Sequence, residues 1–198
     1  EDSGEGERGS AAARRHKTST WTVRIPEGVK EVIGRRLNRL TARCNEVLTT
    51  ASVIGREFTL EQLKATTDGL TEDMLLGVLE EALAARVIEE LPHAVARYQF
   101  THALIQETLS NELSITRRVR LHARIAESLE KLYGDKADEQ AAELAQHFAA
   151  AEAVVGTDKL VHYSIAAGER AIDRYAFEEA LGHFQRASDA RKDMPLDD

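Results

Sequence analysis

The side chains best suited to proton transfer or ligand contact are seven histidines: His16, His93, His102, His122, His147, His162 and His183. None is paired with another at helical i, i+4 spacing, and none stands in a zinc-ligand pattern, so no metal site is expected. His102 stands apart because of where it falls. From Val95 to Phe100 the residues alternate as in a strand, whereas Leu104, Ile105, Thr108 and Leu109 recur at helical spacing. The change falls at Thr101-His102. The spacing predicts Thr101 as an N-cap and His102 in the first turn of a helix that leaves a sheet edge. Backbone N–H groups in a first turn point outward and favour anions, phosphate among them. An imidazole there can donate to such an anion. It can equally serve as a structural bridge between hairpin and helix, and spacing alone leaves both readings open.

Other chemistry is sparse. Gly-x-Ser-x-Gly, a Walker loop and a nucleophile beside a base motif are all missing from the sequence. No acid pair can be nominated for general acid–base work. Cys44 lies on an apolar helical face and reads as a buried, inert thiol. The chain by itself is therefore expected not to be an enzyme and to carry no cofactor of its own.

The elements around His102 follow from periodicity. Residues 1–20 hold Gly, Ser and balanced charge with almost no large apolar side chain, and read as a disordered linker. Order is expected from Trp21. Glu27 to Leu40 predicts a helix with Val29, Val32, Ile33, Leu37 and Leu40 inward and Arg35, Arg36 and Arg39 on the remaining surface. A second helix runs from about Thr41 to a stop at Gly55, followed by a connector at Phe58 and a short helix over Leu60 to Thr66. Asp68-Gly69 is a turn, and Thr71-Glu-Asp opens a longer helix. Val87 to Leu91 and Val95 to Thr101 form a two-stranded hairpin about Pro92-His-Ala94. Three helices and a hairpin is the order of a winged helix, assigned here to 41–115. The third helix, with its flanks, carries Glu72, Asp73, Glu80 and Glu81 against Arg86. That is the wrong sign for duplex phosphates and argues against direct DNA reading.

From Thr116 the chain reads as helical throughout. Helices are predicted to end at Tyr133-Gly134-Asp135, then to run over Ala137 to Ala151, Lys159 to Arg174 and Phe177 to Arg191. Glu143-x3-His147-Phe148-x2-Ala151 returns as Glu179-x3-His183-Phe184-x2-Ala187, and Leu121-His122-x2-Ile125-Ala126 returns as Val161-His162-x2-Ile165-Ala166. Paired helices at such a period stack into a solenoid. Gly168, Ala180, Phe184 and Ala187 fit the spacing of a tetratricopeptide (TPR) repeat, with Ala171 where that repeat usually has Tyr. Residues 116–198 are thus read as TPR-like repeats. The overall fold class expected is mainly α: a winged helix with a two-stranded hairpin, then a TPR-like α-solenoid.

Composition agrees with such a fold. The 198 residues are 42% hydrophobic and only 5% aromatic, with a net charge of −8. That charge disfavours nonspecific binding to nucleic acid or anionic membrane. A single cysteine permits no internal disulfide, and no apolar run is long enough to span a bilayer, so a cytoplasmic protein is expected. A start at Glu1 without Met suggests a piece of a longer chain.

Four ordered motifs carry a resemblance: Ile25-Pro-Glu-Gly-Val-Lys-Glu-Val-Ile-Gly-Arg-Arg-Leu37, Ala51-Ser-Val-Ile-Gly-Arg-Glu-Phe58, Leu79-x2-Ala82-Leu-x2-Arg86 and Tyr98-x-Phe100-x-His102-Ala-Leu-Ile-x-Glu107. Trp21 to Ala187 resembles the region after the ATPase core of bacterial STAND signalling ATPases, which include LuxR-type regulators and ATPase-linked adenylate cyclases. The resemblance implies that 21–40 is a helical segment from the end of the ATPase module. It also implies that ADP or ATP is bound by the parent protein. In related switch ATPases a Met-His-Asp motif follows the wing, and its His contacts the β-phosphate of ADP. Thr101-His102-Ala103 stands at that place, which makes His102 the candidate nucleotide-phosphate sensor. Ala103 replaces the Asp and removes whatever hydrogen bonding that residue supplies.

The function expected is a regulatory relay and sensor module. Its partners would be an upstream nucleotide-binding domain and a protein or small-molecule inducer on the helical repeats. The alternatives are a DNA-binding winged-helix regulator and a nucleotide-independent interaction scaffold.

Overall fold

The computed structural model describes residues 27–92 and 94–192. The expected linker over 1–20, the start of order at Trp21, and His16 and His93 lie outside the described residues.

Helix α1 (Glu27–Leu37) ends three residues earlier than its apolar stripe predicts. Its last carbonyls are taken by tight turns, Arg39 N to Arg36 O and Leu40 N to Leu37 O. The Asn45 amide also donates to the Leu37 carbonyl at 3.1 Å. Ile33, Leu37 and Leu40 are buried, but Val32, expected inward, is 50% exposed. Helix α2 (Ala42–Ile54) starts at Thr41, whose hydroxyl accepts from Cys44 N. The Glu81 carboxylate accepts from the Thr41 backbone N–H and from its hydroxyl, so an acid of a distant helix completes this N-terminus.

The connector expected at Phe58 is a strand, β1 (Glu57–Thr59). It leads into α3 (Leu60–Thr66) through a reciprocal cap: Gln62 N donates to the Thr59 hydroxyl and Thr59 N donates to the Gln62 amide oxygen. Helix α4 (Glu72–Ala84) opens at Thr71 as its acidic first turn predicts. Strands β2 (Ile88–Glu90) and β3 (Arg97–Phe100) follow. The two-stranded hairpin is thus enlarged to a three-stranded antiparallel sheet in the order β1-β3-β2. Tyr98 faces Phe58 on one side and Glu90 on the other. Phe58 stacks on Tyr98 and tilts against Phe100, with centroids 5.9 and 5.6 Å apart. A strand as short as β1 has little local drive. It forms because β3 offers an open edge and Phe58 is buried there.

Helix α5 (Ala103–Glu112) leaves the sheet directly. Helix α6 (Ile115–Tyr133) starts at Ser114, whose hydroxyl accepts from Arg117 N. The helix expected over Ala137 to Ala151 begins later. Gly134–Gln140 is a 3-10 segment, and α7 covers Ala141–Val155. Helices α8 (Asp158–Asp173) and α9 (Phe177–Lys192) complete the described chain. Successive helices from α6 to α9 pack on one another, and α6 also packs on α2 and α3. One apolar cluster therefore runs from Leu37 and Phe58 through Ile125 and Leu129 to Phe148 and Tyr163. The fold is mainly helical with a small antiparallel sheet.

Candidate functional site

His102 is the N-cap of α5, which therefore starts one residue later than predicted, and its imidazole makes no capping bond. Thr101, the expected cap, is used differently. Its hydroxyl donates to the Arg86 carbonyl at 3.0 Å and also lies 3.2 Å from that of Val87. Recruitment across the sheet outcompetes capping because two carbonyls lie within reach of a single hydroxyl. His102 is exposed, and its own carbonyl accepts from Ile105 N. Among the described residues the first N–H groups of α5 therefore have no capping side chain of the kind that Ser, Thr, Asp or Asn would normally supply.

The Arg86 carbonyl that holds Thr101 also accepts from the Arg36 guanidinium at 3.2 Å. Beside this node lies an open cleft of about 460 Å3 between the end of α1 and the end of α4. Arg35, Arg36, Arg39 and Arg86 border it, with Val32, Ala84 and Ala85 as its apolar wall. Periodicity assigned Arg35, Arg36 and Arg39 to a solvated face. It gave no sign that Arg86, fifty positions beyond Arg36, would join them.

A second cleft, about 430 Å3, opens where the sheet meets the end of α6 and the start of α7. Gln62, Tyr133 and Glu143 converge on it. The Gln62 amide donates to the Tyr133 oxygen and to Glu143, both at 2.9 Å, and Tyr133 donates to Glu143 at 2.6 Å. Burial pushes the Glu143 carboxyl above the usual range, partly offset by the bonds from Tyr133 and Gln62 and by nearby Arg97. Burial and the adjoining carboxylate also hold the Tyr133 phenol well up. These groups were not singled out from sequence. The one available signal was the recurrence of Glu143 as Glu179 in the repeat, but Glu179 is exposed and pairs with Arg174.

The repeat histidines also part company. His122 and His147 meet across α6 and α7, Nδ1 to Nδ1 at 2.9 Å. Their sequence equivalents do not: His162 lies 2.9 Å from Asp138, and His183 lies 3.3 Å from Arg186. Among the described residues no group of three or more His, Cys, Asp or Glu side chains is arranged to hold a metal ion. Among them, too, no helix is long and apolar enough to cross a membrane. Cys44 is fully buried, and burial, reinforced by Glu81, pushes its thiol up to about 12.

Comparison with protein-family models, with curated proteins and with solved structures returns no match to this chain.

Proposed function

We propose that this chain is the relay and sensor portion of an ATP-dependent signalling protein of the STAND class. In this reading residues 41–115 form a winged helix that packs on an upstream nucleotide-binding domain, and 116–198 form TPR-like repeats that take a protein or small-molecule inducer. The observation that carries it is the path of the chain around His102. The order helix, strand, two helices, strand, strand, with β3 between β1 and β2, supports a winged-helix reading. The imidazole stands exposed where β3 passes into α5.

The mechanism is a shift between two packing states. ADP held in the upstream domain presents phosphate to the uncapped start of α5, where His102 and the free backbone N–H groups donate to it. Exchange for ATP changes that contact and with it the packing of the module. The polar cluster of Gln62, Tyr133 and Glu143 spans the sheet unit and the first repeat helices, so it can carry the change onward. At the far end Tyr175, Phe177 and Leu181 expose apolar surface, with Phe177 at 62% and Leu181 at 68%. This is the kind of surface that a protein partner covers.

DNA reading is disfavoured by charge. Helix α4 carries four carboxylates and no cation. The decisive experiment is ADP release from the full-length parent protein. His102→Ala should accelerate release about tenfold, the loss of roughly one charge-assisted hydrogen bond. Unchanged release would refute the sensor role.

A further inference from the structure

We propose that the cleft bordered by Arg35, Arg36, Arg39 and Arg86 binds a polyphosphate group of a small molecule. The site belongs to this chain alone and does not depend on His102 acting as a nucleotide sensor.

Its charge is the first argument. Four guanidinium-bearing residues surround one cleft, and among the described residues no carboxylate lines it, although the chain as a whole carries −8. Arg35 reaches Glu31 only at 3.9 Å, on the open helix face. Arg39 and Arg86 make no ion pair among the described residues. Arg35 and Arg36 lie in the last turn of α1, where cations suit the helix dipole. That explains two of the four. Arg39 lies beyond the helix, and Arg86 comes from the far side of the cleft.

Backbone conformation at Arg86 is the second, independent argument. Its φ is +54°, in the left-handed region. Val87 N bonds to Ala82 O and Arg86 N to Leu83 O, the hydrogen-bond pattern of a helix end at which glycine is the usual residue. A side chain is disfavoured there, yet the position carries an arginine that lines the cleft. Ala96 and Tyr175 share this conformation, but of the three only Arg86 lines the cleft, so here the disfavoured backbone is held beside a charged pocket. The Arg86 carbonyl meanwhile holds Arg36 and Thr101, so the two sides of the cleft are tied at their base.

Shape narrows the class. Arginine forks match phosphate oxygens in pairs, and several phosphates are needed to offset four positive charges. The volume, about 460 Å3, is that of a small-ligand site. The apolar wall of Val32 and Ala84 offers a surface for a base, so the polyphosphate can arrive free or as part of a nucleotide.

The test is calorimetric titration of the 198-residue chain with tripolyphosphate and, separately, with ATP, both without metal and at low salt. One saturable site is expected for tripolyphosphate. Tighter binding of ATP would assign the apolar wall to the base, and equal binding would assign the site to free polyphosphate; either outcome supports a polyphosphate site. Arg35→Gln with Arg39→Gln should weaken binding at least tenfold. So should Arg86→Gly, with a melting temperature no lower than that of the wild type, since glycine suits the backbone there. The pair Arg117→Gln with Arg120→Gln, on another helix, should bind as the wild type does. The proposal fails if tripolyphosphate does not saturate below millimolar concentration. It also fails if the cleft variants bind normally, or if the Arg117/Arg120 control loses as much affinity as they do.

Discussion

His122 on α6 and His147 on α7 approach Nδ1 to Nδ1 at 2.9 Å, with the rings 5.1 Å apart. At that distance one nitrogen must carry a hydrogen and the other must accept it, so the pair is stable only while at least one ring is neutral. His147 is fully buried, and its Nε2 has no hydrogen-bond partner of good geometry. Burial first, and then the neighbouring His122, lowers its pKa to about 4; the Ile54 backbone opposes this without reversing it. His122 is lowered as well, by burial and by Arg118.

Acid should therefore loosen the first helical hairpin. The unfolded chain binds a proton at His147 near pH 6.5, whereas the folded chain resists one until about pH 4. Stability from this residue is complete above pH 6.5 and falls as pH drops towards 4, by about 3 kcal/mol in all. Glu143 acts in the opposite direction. Its raised pKa favours the folded state at low pH, and that contribution is lost as pH rises. Denaturant unfolding of the wild type and of His147→Gln between pH 7 and pH 4 separates the two. The difference between the proteins should shrink as pH falls, and parallel curves would refute the assignment.

Gly168 is held by packing rather than by backbone conformation. A Cβ placed on it would lie 2.6 Å from the Phe184 ring. Gly168→Ala should cost about 1–3 kcal/mol through overpacking between α8 and α9. Combining it with Phe184→Leu should recover part of the loss, as a thermal melt of the double variant would reveal.

Tyr133→Phe removes the phenol that donates to Glu143 and accepts from Gln62. The half-buried carboxyl keeps the Gln62 bond, so a loss of about 1–3 kcal/mol is expected. If Glu143→Gln is made in the Tyr133→Phe background, the second substitution should cost less than it does alone. A double-mutant cycle by urea unfolding reads that coupling.

His102→Ser should raise stability rather than lower it. The imidazole makes no capping bond, and a serine hydroxyl can accept from the open N–H groups of α5. A gain of about 0.5–1 kcal/mol is expected. Stability retained while ADP release accelerates in the parent protein would separate a reading role for His102 from a structural one.

Cys44 should be silent to alkylating reagents in the folded chain, because a buried thiol held at about 12 presents almost no thiolate. Its modification rate should rise in step with urea-induced unfolding and not before.

Much of this architecture is local in origin and therefore written into residue order. Periods of two and of 3.6, and the helix starts read at about Thr41 and at Thr71, depend on neighbours a few positions apart. They located the helices, the hairpin and the place where β3 passes into α5. What three-dimensional packing decided lies in pairings between distant positions. The edge of β3 turned Phe58 and its neighbours into β1. Carbonyls at Arg86 and Val87 drew the Thr101 hydroxyl away from capping and moved the start of α5 to His102. Arg36 and Arg86 meet across 50 positions, and Gln62 and Tyr133 across 71. Periodicity records which face a side chain takes on its own element, but which distant group completes its hydrogen bonds or shares its charge is set only when the elements pack.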